Sequence, residues 1–367
     1  MKLPLLTFTS TLYSDIDLSN VTIVACQHIL GTTVDLFGTL FAKGLKPENC
    51  YVLGKCYSTH WGTLNGLRKM GIKVSDLSAA FDGARSYDEQ FSEYVKRFAD
   101  DAKADGAFDP SRKTIVLDDG GFLLRYVQDH IEEGVRISGV EQTTSGFEKI
   151  KSEGLRFGVI NVARSRAKLG IESPFIAEGV IHEMEKRMRI DAGTRVFIVG
   201  QGAIGRAIKA LLKDRCSVSG CDSDEGLCDF GGQYHDQIPT FDVIIGTTGK
   251  SILRIADLPS LKKGAVLVSA SSSDREFSAV EMRVASGATD DCHSDIEVEG
   301  IRLLNGGFPV NFAGQEDPTP PEKIQLTRAL LFAGVCEASQ SIPPGFHDLS
   351  DTQDRVAEEF LSYSKSR

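Results

Sequence analysis

The sequence predicts an α/β protein of two domains, each with a parallel sheet, the second a Rossmann-type doubly wound fold. The chain has 367 residues, more than one typical domain needs, and its 41% of hydrophobic residues can form packed cores. Runs of β-type residues alternate with helix-like stretches, as in parallel sheets. One of these runs leads directly into a glycine-rich turn and a helix, which is typical of a Rossmann-type fold.

The first half of the chain contains three strand-like runs. They are VTIVAC at 21–26, CYVLG at 50–54 and TIVLDD at 114–119. Helix-like stretches at 30–43 and 62–70 lie between them, so consecutive strands have room for a crossover helix.

The second domain is predicted to start at a helix over 176–189. This helix leads into the apolar strand 196–199, and strand-like runs recur at 243–247 and 265–270. The predicted domains are a substrate domain over 1–175, completed by about 325–367, and a dinucleotide-binding Rossmann domain over 176–324.

Composition narrows the class of partner. Forty-one basic and fifty-one acidic residues give a net charge of −10, which argues against a nucleic-acid binder or a binder of anionic membranes. No stretch of 18 apolar residues occurs, and the first eleven residues do not form a signal peptide. We expect a cytoplasmic protein that binds small molecules.

The cysteines predict neither disulfides nor a metal site. The eight cysteines are scattered without a CxxC pair, as expected for reduced thiols. Cys292 and His293 stand among acidic residues, but no second ligand cluster has zinc-like spacing. No metal is therefore predicted.

The glycine-rich turn has the GxGxxG spacing of a dinucleotide-binding motif. The strand ending at Val199 runs into GQGAIG, and a helix-forming run follows. Gly200 permits the tight turn, Gly202 lets a pyrophosphate approach the backbone, and Gly205 lets helix and strand pack closely. Free N–H groups at the helix start attract phosphates. The candidate cofactor-binding residues here are Gly200, Gly202, Ala203, Ile204 and Gly205.

Asp222 indicates which dinucleotide is bound. It ends the next strand-like run, about twenty residues beyond the glycines, where a carboxylate accepts hydrogen bonds from both ribose hydroxyls of NAD. A 2′-phosphate would be repelled by this carboxylate. The predicted cofactor is NAD.

Further segments occur in the order found in S-adenosylhomocysteine hydrolases. They are Cys26-Gln27-His28, Tyr57-Ser58-Thr59, LDDGG at 117–121, GVEQTTSG at 139–146, INV at 160–162 with Lys168 six residues beyond, the glycine motif, and GTTG at 246–249. On these segments the chain resembles that family over nearly its whole length.

The resemblance implies a mechanism and a set of catalytic residues. In that family, tightly held NAD oxidises the ribose 3′-hydroxyl, the ketone acidifies the C4′ proton, the 5′ substituent is eliminated, water adds and the ketone is reduced. Lys168 would stand beside the 3′-hydroxyl, and Glu172 matches an acid that follows this lysine. Asp119 and His28 would handle the protons at C4′ and at the leaving group.

The resemblance also implies further cofactor contacts and an assembly. Thr143, Thr144 and Ser145 match a segment on the nicotinamide side of NAD. A second cofactor-lining loop and a carboxamide contact correspond to Thr247, Thr248, Gly249 and Asn305. The resemblance implies a homo-oligomer, either a dimer or a tetramer. It also implies a nucleoside-like substrate.

Departures from the family cluster on the substrate side. Gln142 stands where the family has a second glutamate, and Ser272 stands where it has a histidine. The adenine clamp is replaced by Phe308 to Pro318, and Leu30 and Thr32 occupy the places of the threonine and glutamate that usually meet the base. We therefore expect a nucleoside or related metabolite whose base is not necessarily adenine.

Two further departures concern Trp61 and the chain ends. Trp61 replaces an acid after Ser58-Thr59, and the simplest expectation is a core tryptophan, with stacking on a substrate ring as the alternative. The family's N-terminal helical extension and its tail with Lys and Tyr are missing, so weaker oligomerisation and cofactor retention are expected.

Other interpretations of the sequence remain open. The chain could be an NAD-binding regulatory protein without turnover, because Gln142 and Ser272 remove ionisable groups, or a genuine S-adenosylhomocysteine hydrolase. A D-2-hydroxyacid dehydrogenase would need a histidine paired with an acid late in the chain. The histidines there are His235, His293 and His347, none of them well placed.

Overall fold

A computed structural model describes residues 3–130, 132–230 and 234–365, without the side chains of 234–235 and 364–365. The contacts divide the chain into two compact units. Unit 1 comprises Met1–Ala80, Phe91–Glu172 and Pro320–Arg367, and unit 2 comprises Phe81–Gln90 and Ser173–Thr319. The sequence placed Phe81–Gln90 in the first domain. This placement was wrong, because the segment's backbone bonds to buried side chains of unit 2.

Unit 1 is built on a parallel sheet of seven strands. Its strands are β1 (Val21–Cys26), β2 (Cys50–Leu53), β3 (Lys73–Val74), β4 (Lys113–Asp118), β5 (Arg136–Glu141), β6 (Gly158–Asn161) and β13 (Gly345–Asp348). Their spatial order is β13-β6-β5-β4-β1-β2-β3, and every neighbouring pair is parallel.

Helices connect these strands, as a parallel sheet requires. The helices of unit 1 are α1 (Pro4–Leu12), α2 (Gly31–Phe41), α3 (Trp61–Lys69), α4 (Tyr87–Ala104), α5 (Phe122–His130), α6 (Thr144–Ile150), α7 (Arg166–Ile171), α12 (Pro321–Ala338) and α13 (Thr352–Lys365). The first four residues of α4 belong to unit 2. Helix α12 is buried along nearly its whole length and packs against α1, α2, β5 and β6.

Unit 2 contains a six-stranded sheet. Its strands are β7 (Arg195–Val199), β8 (Ser217–Cys221), β9 (Val243–Gly246), β10 (Val266–Ser269), β11 (Ile296–Val298) and β12 (Ile301–Leu303). The order is β11-β12-β10-β9-β7-β8, parallel except for the hairpin of β11 and β12. Its helices are α8 (Ser173–Glu185), α9 (Ala203–Leu212), α10 (Tyr234–Gln237) and α11 (Ala279–Ser286).

Both faces of the unit 2 sheet are buried. Phe197 and Ile244 belong to one apolar cluster, whereas their chain neighbours Ile198 and Val243 belong to another. Alternate residues of a strand point to opposite faces, so the two clusters cover the two faces. This is the doubly wound arrangement, and the predicted fold class is confirmed.

The strand orders place a switch point in each sheet. In unit 1 the chain starts at β1 and winds to β2 on one side and to β4 on the other. In unit 2 it starts at β7 and winds to β8 on one side and to β9 on the other. Ligands of such sheets bind at the carboxyl ends of the strands that flank this point.

Within the described residues, no helix has both the length and the apolar character that a membrane crossing needs.

Candidate functional site

His28 and Asp119 meet at the switch point of unit 1. His28 follows β1 and Asp119 follows β4, and these two strands pair in parallel. Nε2 of His28 lies 3.2 Å from Oδ2 of Asp119. The side chain of Asp119 is 1% exposed and that of His28 is 13% exposed. Two predicted catalytic residues that lie far apart in the chain thus form one close side-chain contact.

Lys55 completes this contact and was missed from the sequence. Its Nζ donates to Oδ1 of Asp119, and both side chains are buried. Burial alone would raise the pKa of the Asp119 carboxyl, but Lys55 and His28 lower this pKa well below its usual range. Its position in the chain could have indicated it, because Lys55 stands two residues beyond β2 and β2 pairs with β1, the strand that precedes His28.

The other ring nitrogen of His28 is also bonded. Nδ1 of His28 forms a short hydrogen bond with Oγ of Ser58, which is itself buried. Burial lowers the pKa of the His28 imidazole, although the carboxylate of Asp119 opposes the shift. His28 is therefore uncharged at neutral pH.

Two buried carboxyl groups lie behind Asp119. Asp118 and Glu141 end the paired strands β4 and β5 and stand opposite each other in register. Burial raises the pKa of Asp118 to about 6, and burial together with Asp118 raises the pKa of Glu141 to about 8. Oε1 of Glu141 accepts from the backbone N of Gly120 at 3.2 Å and of Thr143 at 2.7 Å. The protonated Glu141 thus holds the turn that presents Asp119.

Glycine is needed in this turn. Gly120 and Gly121 have φ values of +116° and +74°, and a Cβ on Gly121 would lie 2.9 Å from Cα of Gly146. The two glycines of the LDDGG segment therefore allow α6 to pack closely behind the acidic pair.

Lys168 and Glu172 form a second cluster in unit 1. Nζ of Lys168 donates to the backbone O of Gln142 at 2.6 Å and lies 3.6 Å from Oε2 of Glu172. Oε1 of Glu172 accepts from Oγ1 of Thr327 at 2.6 Å. The two charged side chains are only 15% and 14% exposed, so they are not an ordinary surface pair. The backbone N of Gln142 donates to O of Asp118 at 2.9 Å, which links this cluster to the first.

Thr143, Thr144 and Ser145, predicted as cofactor contacts, begin α6 in unit 1. Oγ1 of Thr143 accepts from the backbone N of Gly146 at 3.0 Å and donates to Glu141 at 2.8 Å. Thr143 therefore caps the helix, whereas Thr144 is exposed. Their contact with a cofactor stays a prediction.

The glycine motif of unit 2 has the geometry that its spacing predicted. Gly200 has φ +102°, and a Cβ on Gly205 would clash with the carbonyl oxygen of Gly200. Helix α9 begins at Ala203, directly followed by Ile204, and Gly202 is its N-cap, with no side chain covering the first N–H groups. This turn is a close-approach cradle in front of a helix start.

Asp222 stands beside this turn. Its Oδ2 accepts from the backbone N of Gln201 at 2.6 Å, and this bond is the main cause that lowers the pKa of Asp222 below its ordinary value. The carboxylate at the end of β8 is therefore ionised at neutral pH.

The loop after β9 is held by a residue that the sequence did not reveal. Glu276 is fully buried, and its Oε1 accepts from the backbone N of Thr248 at 2.7 Å and of Gly249 at 3.0 Å. Its Oε2 accepts from Oγ of Ser269 at 2.7 Å. Thr247 reaches the other loop, since its Oγ1 donates to O of Gly200 at 2.9 Å. The two loops at the switch point of unit 2 are thus bonded together.

Replacing Glu276 with alanine is expected to loosen this loop. The change leaves the donors of Thr248 and Gly249 without their acceptor, so the free energy of unfolding should fall by about 1–3 kcal/mol. Urea titration measures this, and Glu276→Gln, which keeps Oε1, should lose less. The exposed Glu281→Ala on α11 is the control, and equal losses in the Glu276 and Glu281 alanine variants would contradict the assigned role.

Asn305 is bonded within unit 2. Its Nδ2 donates to O of Pro309 at 3.0 Å and of Phe312 at 2.9 Å, and its Oδ1 lies 3.2 Å from Nδ1 of His293. Asn305 is fully buried with φ +53°. A direct carboxamide contact, as predicted, would require these bonds to break.

Residues at the departures from the resemblance have varied environments. Trp61 is 62% exposed at the start of α3, so the expectation of a core tryptophan was wrong. Thr32 is buried and its Oγ1 accepts from Nε of Arg328 at 3.1 Å. Arg328, on α12, is buried and contributes to lowering the pKa of His28 after burial and Lys55. Ser272 is exposed.

Across the described part of the chain, no group of three or more His, Cys, Asp or Glu residues is placed to hold a metal ion. Nδ1 of His293 bonds an amide rather than a carboxylate, and the side chain of His235 lies outside the described residues.

Comparison with known proteins gives one group of sequence relatives and a set of distant structures. No protein-family model matches the sequence. The chain is 40% identical over 340 residues to an uncharacterized protein of Mycobacterium tuberculosis, found in two strains, with 89% of this chain and 66% of that protein covered. It thus spans just under two thirds of the length of these relatives.

Two solved structures align with most of this chain at low sequence identity. A dipicolinate synthase polypeptide from Bacillus halodurans aligns with a TM-score of 0.40 and 11% identity, over 88% of this chain and 97% of that polypeptide. NAD⁺-bound 3-phosphoglycerate dehydrogenase of Entamoeba histolytica aligns with a TM-score of 0.38 and 11% identity, over 86% of this chain and 96% of that enzyme.

Proposed function

We propose that this chain is an NAD-dependent enzyme that transiently oxidises the sugar 3′-hydroxyl of a nucleoside or related metabolite, in the manner of S-adenosylhomocysteine hydrolases. Elimination and hydration at the 5′ position would follow. The observation that carries the proposal is the cluster of Lys55, His28 and Asp119 at the switch point of unit 1. Two of these residues were predicted as catalytic from the resemblance.

The glycine turn of unit 2 fits a dinucleotide. Gly202 has open space where a Cβ would stand, the start of α9 presents free N–H groups, and Asp222 is ionised beside them. Bound NAD would accept a hydride from the substrate carbon and return it at the end of the cycle. Gly200, Gly202 and Gly205 would hold its pyrophosphate, and Asp222 its ribose hydroxyls.

Different residues of unit 1 would transfer the protons at the different substrate positions. Lys168, once neutral, would take the proton of the 3′-hydroxyl, and Glu172 would position its amine. The His28 cluster would handle protons at C4′ and at the 5′ position. These groups are largely buried, which limits loss of reactive intermediates to water.

The base of the substrate is expected to differ from adenine. Ser272 is exposed and Thr32 is committed to Arg328, so neither replaces an adenine-binding group of the resembling family. Trp61, the single tryptophan, is exposed at the start of α3, three residues after Ser58 in the chain, and suits stacking on a heteroaromatic base. A dimer or tetramer stays a prediction of the resemblance.

Asp222 is expected to select NAD over NADP. Asp222→Ala should weaken NAD binding by about tenfold or more, because a hydrogen bond to a charged group contributes about 1.5–3 kcal/mol. The ratio of NAD affinity to NADP affinity should fall, because the carboxylate that repels a 2′-phosphate is removed. Calorimetric titration with both dinucleotides measures this, with Asp257→Ala as the surface control. An unchanged NAD/NADP ratio would show that Asp222 does not face the ribose.

Exchange of the C4′ proton tests the proposal. A 3′-ketone acidifies the neighbouring proton, so nucleosides incubated with the protein in D₂O should be recovered with deuterium at C4′, detected by NMR. Adenosine and S-adenosylhomocysteine belong in the panel, and exchange confined to them would indicate a genuine S-adenosylhomocysteine hydrolase. Absence of exchange across a panel of varied bases and 5′ groups would count against 3′-oxidation.

A second candidate is an NAD-binding regulatory protein without turnover. Gln142 favours it, because this amide cannot ionise and its backbone carbonyl accepts from Lys168. In that case NAD binds at the glycine turn while no nucleoside undergoes exchange.

A further inference from the structure

Both carboxylate oxygens of Asp119 lie close to basic side chains. Oδ1 accepts from Nζ of Lys55, and Oδ2 faces Nε2 of His28 at 3.2 Å. A carboxylate that accepts from an ammonium group and faces an imidazole is a weak base, because protonation would leave the buried cation of Lys55 without its counter-ion. Asp119 thus orients and stabilises its neighbours more readily than it takes a proton from a substrate.

This arrangement fixes the tautomer of His28. Since Asp119 is ionised and lies 3.2 Å from Nε2 of His28, a hydrogen on Nε2 is favoured over a lone pair facing the carboxylate, and Nδ1 is the basic nitrogen. Nδ1 faces Oγ of Ser58, so the Ser58 hydroxyl donates to it. A hydroxyl, a histidine and a carboxylate in this order form the arrangement that activates hydroxyl groups in enzymes.

We propose that Ser58 is the proton-relay residue of this site, exchanging protons between His28 and the substrate. This inference rests on the proposed function. When a substrate hydroxyl or attacking water loses its proton, Oγ of Ser58 accepts that proton and passes its own to Nδ1 of His28. The imidazolium is stabilised by Asp119, and the reverse transfer delivers the proton to the leaving group. Two protons shift in each transfer, the net result is one proton moved between the substrate and His28, and no oxidation or reduction occurs.

The charges around His28 suit a relay. Its pKa is affected by one acid, Asp119, and by two cations, Lys55 and Arg328. The ring of Tyr57 packs edge-on against the imidazole, with 6.1 Å between the ring centroids. Burial and the two cations keep His28 neutral at rest, with a lone pair on Nδ1, while the carboxylate of Asp119 stabilises the ring when it takes a proton. Lys55 therefore acts as a positioning residue that keeps Asp119 ionised and His28 neutral.

Nitrogen NMR of the full-length protein with ¹⁵N-labelled histidine tests the tautomer without any substrate. We expect neutral His28 at pH 7 with hydrogen on Nε2, and a shift of its Nδ1 resonance in Ser58→Ala but not in Ser138→Ala, a matched buried serine of β5. Lys55→Met should raise the midpoint of His28 titration. Hydrogen on Nδ1, or a doubly protonated ring at pH 7, would overturn the proposal.

Turnover supplies the second readout. On a nucleoside that wild-type protein exchanges at C4′, Ser58→Ala should lower turnover by about 10²-fold or more, the usual contribution of a proton-transfer group. Ser58→Thr, which keeps a hydroxyl, should retain part of the wild-type turnover, and Ser138→Ala should retain all of it. Equal rates for Ser58→Ala and Ser138→Ala would overturn the relay. If wild-type protein acts on no nucleoside, the proposed function fails, while the NMR result still decides whether Ser58 and His28 are coupled.

Discussion

Replacing Lys168 with methionine is expected to lower turnover by about 10²- to 10⁴-fold, the range for loss of a group that transfers protons. Methionine keeps the unbranched stem, but it cannot bond the backbone O of Gln142 or pair with Glu172. NAD binding should change little, because the glycine turn belongs to unit 2 and Lys168 to unit 1. Turnover at saturating substrate and NAD titration measure the two effects.

Lys103→Met provides the control for this prediction. Lys103 also belongs to unit 1 and forms an ion pair with Glu132 at 2.8 Å, but both side chains are well exposed. It should retain full turnover. Equal turnover in the Lys168 and Lys103 variants would contradict the catalytic role of Lys168.

Replacing Arg283 with leucine is expected to lower the free energy of unfolding by about 3–5 kcal/mol, because it removes one partner of a buried ion pair. Arg283 is fully buried, and its Nη2 lies 2.7 Å from Oδ2 of Asp274. Its guanidinium also donates to O of Gly83 at 2.9 Å and of Gly306 at 2.8 Å. Loss of these bonds would leave the buried carboxylate of Asp274 without its counter-ion and two buried carbonyls without the donor that Arg283 supplies.

The control is the exposed pair of Arg189 and Asp191, 3.1 Å apart. Arg189→Ala should cost less than about 1 kcal/mol. Adding Asp274→Asn to Arg283→Leu should recover part of the loss, since the unpaired buried charge is removed. A cost for Arg283→Leu as small as for Arg189→Ala, measured by urea denaturation, would contradict the account of this cluster.

The sheets could be predicted because their signals are local. The run VTIVAC became β1, and the strand before GQGAIG became β7, both within one residue of the predicted bounds. Apolar β-type runs and a glycine turn report on the chain within a few positions. His28 and Asp119 were predicted from the resemblance, whose segments stand at the ends of two such runs.

The remaining site residues depend on register between distant segments. Lys55 meets Asp119 across 64 positions, and this contact exists because β1 pairs with both β2 and β4. Glu276 is likewise one acid among many in the sequence until the β9 and β10 loops are placed side by side. Nothing local to either residue indicates its partner.

Two expectations were wrong because they depend on tertiary contacts that the local sequence does not indicate. Trp61 was expected in the core on hydrophobicity, but as the first residue of α3 it projects from the helix end. The segment Phe81–Gln90 was assigned by position in the chain, whereas Arg283 and Asp274 bond its backbone.

The most direct test of the proposed function is the absorbance of the purified native protein at the reduced nicotinamide band while nucleosides with varied bases and 5′ groups are added. Release of the cofactor by denaturation identifies it beforehand. We expect NAD as the released cofactor and a transient rise in absorbance with an active nucleoside, absent in Lys168→Met. NAD that no nucleoside reduces would contradict 3′-oxidation and favour the regulatory alternative.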